Sequence, residues 1–220
     1  MQPHHEHEFE AAPGLPEPLP AGERILWQGA PDARTLALRV YHVRELSVYF
    51  AAILAWQGVQ LAGSDVPEAW RSLAVGVILA LSAFAIVVFV AWMAARTTLY
   101  TLTDRRVVMR IGIVLTITLN LPYRRLAGAS VRHERGDCGD IALELAGDDR
   151  MGWLHLWPHA RPWQLRRPQP SLRCLPDVDR VARLLVQAWR EANPGAVARF
   201  GEPSAAPQAP HPADAGTVST

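Results

Sequence analysis

A long uncharged segment limits the folds that are open to this chain. Residues 73–95 read LAVGVILALSAFAIVVFVAWMAA and contain no charged side chain. An α-helix rises about 1.5 Å per residue, so roughly 20 apolar residues cross the ~30 Å hydrocarbon core of a bilayer. A soluble chain of 220 residues offers no core large enough to enclose such a helix. The segment therefore predicts a transmembrane helix.

A second apolar run precedes this segment. Residues Val48 to Gly63 are near the lower length limit for a span, and they include Gln57 and Gln60. One interpretation is an interfacial or half-buried helix. We favour a second span, because the short linker 64–72 would join two spans into a hairpin in which the amides face the partner helix or the interface.

Small residues four positions apart indicate faces on which membrane helices approach closely. The sequence has two such pairs, Gly76 with Ala80 and Ala51 with Ala55. We rank packing within the hairpin first and docking onto partner subunits second. A homodimer through the same surface is a further alternative.

Arginines flank the outer ends of the two apolar runs. They are Arg34, Arg39, Arg44, Arg96, Arg105, Arg106 and Arg110. The linker carries only Arg71, together with two acidic residues. The positive-inside rule therefore predicts a multi-pass protein of the inner membrane with both termini in the cytoplasm.

The hydrophobic period changes after Arg96. From Val107 to Leu121 every odd position is apolar, whereas several even positions are polar, which is typical of strands with one buried face. Gly112 predicts a turn or bulge that splits this run. Similar patterns predict further strands at residues 22–30, 100–104, 127–134, 141–145 and 152–157.

The last patterned segment predicts a helix from Pro176 to Ala192, with Pro176 in the first turn. Its apolar stripe consists of Val178, Val181, Leu185 and Trp189. Before it, prolines between residues 158 and 170 predict an extended segment. The strands need a cover for the open end of a sheet and the helix has an apolar face to bury. This combination predicts an antiparallel β-barrel or sandwich of the pleckstrin-homology (PH) type, capped by a C-terminal helix.

These patterns divide the chain into five segments. They are a disordered tail at 1–20, a strand and amphipathic helical lead-in at 21–45, a transmembrane helical hairpin at 46–95, a cytoplasmic PH-like domain at 96–192 and a disordered tail at 193–220.

Three motifs carry a resemblance to a known family. GERILWQGAP at 22–31 and the segment starting YTLTDRRVV at 100 resemble the bacterial PH-domain membrane proteins. Together with LHLWPHARPW at 154–163, they resemble more narrowly the PuhB family of photosynthetic complex assembly proteins. That resemblance implies a non-enzymatic role in assembling the reaction centre and its core antenna, with reaction-centre or light-harvesting subunits as partners.

The residues themselves carry no enzyme signature. Motifs of serine hydrolases, zinc proteases, P-loop proteins and dinucleotide-binding proteins are absent, so we expect no catalytic residues, no cofactor and no metal site. His133, His155 and His159 are interpreted as surface or packing residues, and the histidines of residues 4–7 as adventitious metal ligands. The net charge of +1 argues against a nucleic-acid partner.

Pigment binding is a weaker alternative that rests on one residue. A histidine within a span is the usual ligand of bacteriochlorophyll, and His42 lies at the cytoplasmic edge of the first predicted helix. Neither apolar run contains a histidine. Cys138 and Cys174 form no CxxC pair and are predicted to be reduced thiols.

Arginines after the membrane exit are candidate contacts for lipid or a partner. They are Arg96, Arg105, Arg106, Arg110, Arg124, Arg125, Arg132 and Arg135. Near an anionic leaflet each basic residue contributes about 1 kcal/mol of attraction. The alternative is a positive-inside bias on solvated strand faces. The sequence thus predicts either a photosynthetic assembly factor or, as the alternative function, a general lipid-binding or membrane-stress scaffold.

Overall fold

Three helices are inserted between the first and second strands of a domain that has two β-sheets. This architecture comes from a computed structural model, which describes residues 15, 18–62, 67–113, 115–134, 137–146, 152–162, 168–196 and 199–201.

The first sheet is antiparallel and has its strands in chain order. They are β1 (Ile25–Gly29), β2 (Leu99–Thr103), β3 (Arg106–Ile111) and β4 (Ile117–Pro122). Val107, Met109 and Ile111 are buried, as the alternating pattern predicts, but Val108 is buried too, and Ile113 and Leu115 at the turn are exposed. Gly112 follows β3 with a φ of 122°, which L-residues rarely adopt, so the predicted turn is where the run divides.

The second sheet follows a single turn of 3₁₀ helix, Tyr123–Arg125. Its strands are β5 (Leu126–His133), β6 (Gly139–Leu145), β7 (Ser171–Leu175) and β8 (Arg199–Gly201), in the spatial order β7-β6-β5-β8. β8 pairs parallel with β5, and the other pairs are antiparallel.

Five α-helices complete the described part of the chain. They are α1 (Ala33–Arg39), α2 (Val43–Ala62), α3 (Pro67–Thr97), α4 (Trp153–Leu156) and α5 (Val178–Ala192). The predicted apolar stripe of α5 is buried in the core between the sheets. Trp189 at its end donates from Nε1 to the Leu126 carbonyl oxygen at 2.9 Å, which ties the helix to β5. The strands and the capping helix agree with the predicted fold class.

In the C-terminal half, one predicted element was wrong and one strand was not predicted. Residues 152–157 were predicted to be a strand, but Trp153–Leu156 is one helical turn. The segment lies between Gly152 and Pro158, so its apolar alternation was too short to distinguish a strand from a turn of helix. The strand β7 was missed: its five residues are all buried, including the polar residues Ser171 and Arg173, so it has no exposed face to mark it as a strand.

Helix boundaries also differ from the prediction. Pro176 lies before α5 and not in its first turn, because Asp177 takes a left-handed conformation with a φ of 51°. The amphipathic helical lead-in predicted within residues 21–45 is not one helix: α1 ends at Arg39, and His42, also at a φ of 51°, separates it from α2. The first tail lies largely outside the described residues, and β8 forms within the segment predicted to be a disordered C-terminal tail.

One helix among the described residues, Trp70–Thr97 within α3, is long and apolar enough to cross a membrane. Only 6% of its most apolar stretch is buried in the protein, so α3 is not the core helix of this domain. Helix α2 contacts α3 but does not meet the same length and composition requirements. The second span and the positions of the termini therefore stay predictions.

Candidate functional site

The base of α3 is packed into the domain. Thr98 alone separates α3 from β2. In the last turns of α3, Ala94 and Ala95 are buried against Leu36 of α1 and Cys174 of β7. An Asp32 carboxylate oxygen accepts from the Thr35 backbone N–H at 2.7 Å and fixes the start of α1. The helix therefore enters the domain through a packed joint and not through a flexible linker.

Tryptophans lie near both ends of the exposed part of α3. The exposed fractions are 64% for Trp70 and 44% for Trp92, and about 33 Å of helix separates the two residues. The guanidinium carbon of Arg96 lies 5.0 Å from the centre of the Trp92 ring. Tryptophans at this spacing match the two headgroup regions of a bilayer. The membrane boundary on the side of the domain is therefore expected at Trp92 to Arg96.

The two pairs of small residues occupy different surfaces. A Cβ atom on Gly76 would lie 2.5 Å from Gln57 Oε1 of α2, and Ala80 one turn later is buried. Ala51 and Ala55 are exposed. Gly76 and Ala80 thus lie at the contact between the helices, whereas the face of α2 with Ala51 and Ala55 is open to lipid or another protein.

The predicted arginine contacts do not lie together. Arg96 is at the end of α3, and Arg110 pairs with Leu99 at the same end of the first sheet. Arg106 pairs with Pro122 at the opposite end of that sheet. Three further candidates are close to that far end in sequence: Arg105 in the β2–β3 turn, and Arg124 and Arg125 in the 3₁₀ turn after β4. Arg132 is in β5, and Arg135 lies outside the described residues. The fold therefore does not bring these arginines together in one cluster at the end of α3.

Arg106 is already bound within the protein. Its Nε and Nη2 donate to the two carboxylate oxygens of Glu23 at 2.7 and 2.9 Å. The Glu23 side chain is nearly fully buried. Bidentate pairing of this kind fixes both side chains, so Arg106 joins the segment before β1 to β3 and is not a free lipid contact.

A buried polar network lies beneath the joint between α3 and β2. The His159 Nε2 is 3.1 Å from Thr98 Oγ1, and its Nδ1 is 2.6 Å from the Tyr100 hydroxyl. The same hydroxyl accepts from the Arg173 backbone N–H at 3.2 Å. Arg173 Nε lies 3.1 Å from a carboxylate oxygen of Asp140. The network connects the end of α3 to β6, β7 and the segment after α4.

Burial shifts the pKa values of this network toward the neutral forms. Burial, together with the nearby Arg173 guanidinium, lowers the pKa of His159 to about 3. Burial also raises the pKa of Tyr100. It raises the pKa of Asp140 too, against the opposing effect of Arg173. A neutral histidine held between two hydroxyl groups supports the structure of the joint, in line with its interpretation as a packing residue.

A cavity of about 400 Å³ lies beside the joint. Its lining includes His42 between α1 and α2, and Trp153 and Trp157 from the segment between β6 and β7. The His42 side chain is 70% exposed, and its Nδ1 lies 3.7 Å from a Glu45 carboxylate oxygen. The cavity could admit a small apolar group. Sequence reasoning missed it because the two segments that form it are far apart in the chain.

Among the described histidines, His133 lies apart from His42 and His159. His133 is exposed, and its Nε2 lies 2.8 Å from an Asp179 carboxylate oxygen. The side chain of His155 is outside the described residues, as are those of residues 4–7. Within the described part of the chain, no three His, Cys, Asp or Glu residues are grouped so that they could hold a metal ion.

Comparisons with known proteins agree with this architecture. A model of the family described as "Bacterial PH domain" matches residues 59–189. The chain is also 36% identical over 210 residues to an uncharacterized 23.7 kDa protein in the puhA 5′ region of Rhodobacter capsulatus, a match that covers 93% of this chain and 95% of the relative. No solved structure matches significantly. The chain belongs to the bacterial PH domain family.

Proposed function

We propose that this protein is a non-enzymatic assembly factor for the photosynthetic reaction centre and its core antenna, of the PuhB type. The relative in the puhA 5′ region is the observation that carries this proposal, because its similarity extends over nearly the whole of both chains. The genomic position of that relative, in the puhA 5′ region, provides a photosynthetic context. The PH domain by itself is general and names no partner.

The architecture supports a role as a membrane-anchored adaptor. We propose that α2 and α3 form a hairpin of two spans in the inner membrane, with both termini in the cytoplasm. Contact between the two helices supports the hairpin. Several large apolar residues of α3 are exposed, and they are Val75, Ile78, Leu79, Leu81, Ile86 and Phe89. Such a surface suits lipid and the helices of membrane-embedded subunits.

Deletion of the gene tests the proposal in a photosynthetic host. The expected result is loss of reaction-centre absorbance from the membranes, with normal growth in the dark, and recovery of the absorbance with the wild-type gene. Affinity-tagged protein should co-purify with reaction-centre or light-harvesting subunits. Normal reaction-centre absorbance in the deletion strain would contradict the proposal.

The second candidate is a general lipid-binding or membrane-stress scaffold. The family match favours it, because that match covers the domain without any photosynthetic feature. The same deletion separates the two functions. A scaffold for the membrane would give an envelope defect in the dark, whereas an assembly factor would not.

We further propose that the protein does not hold pigment through His42. Its exposed side chain faces the Glu45 carboxylate and lies at the start of α2, outside the apolar part of either helix. Tetrapyrrole absorbance of the protein purified from pigmented membranes should therefore be the same for the wild type and the His42→Ala variant. Bands that are present in the wild type and absent from the His42→Ala variant would contradict this.

A further inference from the structure

The tip of the β3–β4 hairpin is apolar and exposed. Ile113 is 37% exposed and Leu115 is 81% exposed, although turns of this kind usually carry polar residues. Residues 111–122 contain no charged side chain. An exposed leucine at the apex of an uncharged hairpin points to a surface that binds an apolar partner.

The shape of the tip is fixed by one glycine. Gly112 has a φ of 122°, and a Cβ atom at this position would collide with the backbone carbonyl oxygen of Leu115. Leu115 is therefore held on a tight backbone turn. The tip is a projection of the sheet with a defined direction.

Strand register places this tip at the α3 end of the first sheet. Leu99, two residues after the end of α3, pairs with Arg110, and Ile111 pairs with Ile117. β3 also contacts α3. The connection from Ile111 to Ile117 therefore projects beyond the start of β2, toward the side from which α3 enters the domain.

Chain dimensions set the reach of the tip. Thr97 lies about 8 Å of helix beyond Trp92, and Leu99 is at most about 7 Å further along an extended chain. β3 runs antiparallel to β2 and so leads back toward α3. Ile113 is three residues beyond Arg110, and at the strand rise these three residues cover about 10 Å in the direction of Trp92. The tip can therefore reach within about 5 Å of the Trp92 level, and the Leu115 side chain extends from it.

We propose that Ile113 and Leu115 insert into the cytoplasmic leaflet of the bilayer and form a second membrane contact beside α3. The proposal rests on the membrane span assigned to α3 under the proposed function. Lipid is the occupant because the tip reaches the depth at which Trp92 and Arg96 suit the headgroup region. Arg110, at the base of the hairpin, is suitably placed for anionic headgroups. The insertion holds the PH domain in one orientation against the membrane surface.

Site-directed fluorescence in vesicles tests the proposal. The full-length Cys138→Ser protein is reconstituted into phosphatidylcholine–phosphatidylglycerol vesicles, with an environment-sensitive dye on Leu115→Cys or, as a second tip position, Ile113→Cys. Arg105→Cys at the opposite end of the sheet is the matched control, and Ser82→Cys within α3 reports the span. Cys174 is buried and should not take the dye.

The expected result is a blue-shifted emission at both tip positions. A nitroxide near the top of the lipid acyl chains should quench it several-fold more strongly than it quenches the dye at Arg105→Cys. Aqueous iodide should show the reverse order. A tip dye quenched by iodide, with the Ser82→Cys dye protected in the bilayer, would overturn tip insertion and leave the span intact.

Two other outcomes are also decisive. If iodide quenches the dye at Ser82→Cys, α3 does not span the bilayer, and the membrane anchoring in the proposed function is contradicted. Tip dyes that neither quencher reaches would indicate a protein contact, such as a second copy of this chain, and would overturn lipid insertion.

Discussion

At the scale of single residues, His159 joins α3 to the domain. Its ring bridges Thr98, which links α3 to β2, and Tyr100 within β2. Charging the ring would place a cation in a buried site near the Arg173 guanidinium. The histidine is therefore a neutral structural element at neutral pH.

Acid should weaken this joint. The folded pKa of His159 is lowered to about 3, from an ordinary value near 6.5. Below about pH 6.5 the His159 side chain binds a proton in the unfolded chain but not in the folded protein. Its contribution to the free energy of unfolding is therefore present above about pH 6.5 and is lost as the pH falls toward about 3. At about pH 4 we expect a loss of up to about 3 kcal/mol, reduced by Asp140, whose raised pKa acts in the opposite direction. Thermal unfolding of the detergent-solubilised protein between about pH 7 and about pH 4 measures this loss.

The variant His159→Gln supplies the control for that experiment. Glutamine does not titrate in this range and keeps a hydrogen-bonding side chain. It lacks the ring that bridges Thr98 and Tyr100, so the variant should be less stable at neutral pH. Its melting temperature should also fall less between neutral and acidic pH. Equal falls in the variant and the wild type would assign the acid sensitivity to other groups.

At the scale of secondary-structure elements, sequence reasoning succeeded where one face of an element is buried and the other is not. The strands around Val107 and the helix that ends near Trp189 show such faces. It failed for β7, which is buried on both faces, and for the turn of helix at Trp153, whose apolar residues are too few to define a period.

The contact between α2 and α3 makes a testable prediction at this scale. Isoleucine at Gly76 would place its Cβ 2.5 Å from Gln57 Oε1, and its larger side chain would push the helices apart. We expect Gly76→Ile to cost about 1–3 kcal/mol and to lower the melting temperature in detergent. Gly58→Ile on α2 is the matched control, since a Cβ there meets nothing within 4 Å. Equal melting temperatures for the two variants would mean that the helices do not pack at Gly76.

At the scale of the whole molecule, the helices interrupt the sheet to which they are attached. β1 precedes α1, α2 and α3 in the chain, yet it pairs with β2, which follows them. This pairing requires residues 25 and 103 to be on the same side of any membrane that the helices cross. An even number of crossings meets that requirement, and a hairpin of α2 and α3 is the smallest.

Long-range pairing also explains why the candidate site was not predictable. The network of His159, Tyr100 and Arg173, and the cavity beside His42, are formed by segments more than 50 residues apart in the chain. No local period brings such residues together. The arginine candidates are close in sequence, but the fold places Arg110 and Arg106 at opposite ends of the first sheet.

The orientation of the molecule can be read from its two cysteines. Cys138 is partly exposed beside β6, whereas Cys174 is buried and burial raises its pKa to about 12. A reagent that reacts with thiolates should therefore modify Cys138 alone in the folded protein. With the domain in the cytoplasm, a membrane-impermeant maleimide should label inside-out vesicles and leave intact spheroplasts unlabelled. The Cys138→Ser variant should stay unlabelled in both. Labelling of Cys138 in intact spheroplasts would put the PH domain on the outer face and reverse the topology inferred from the arginines.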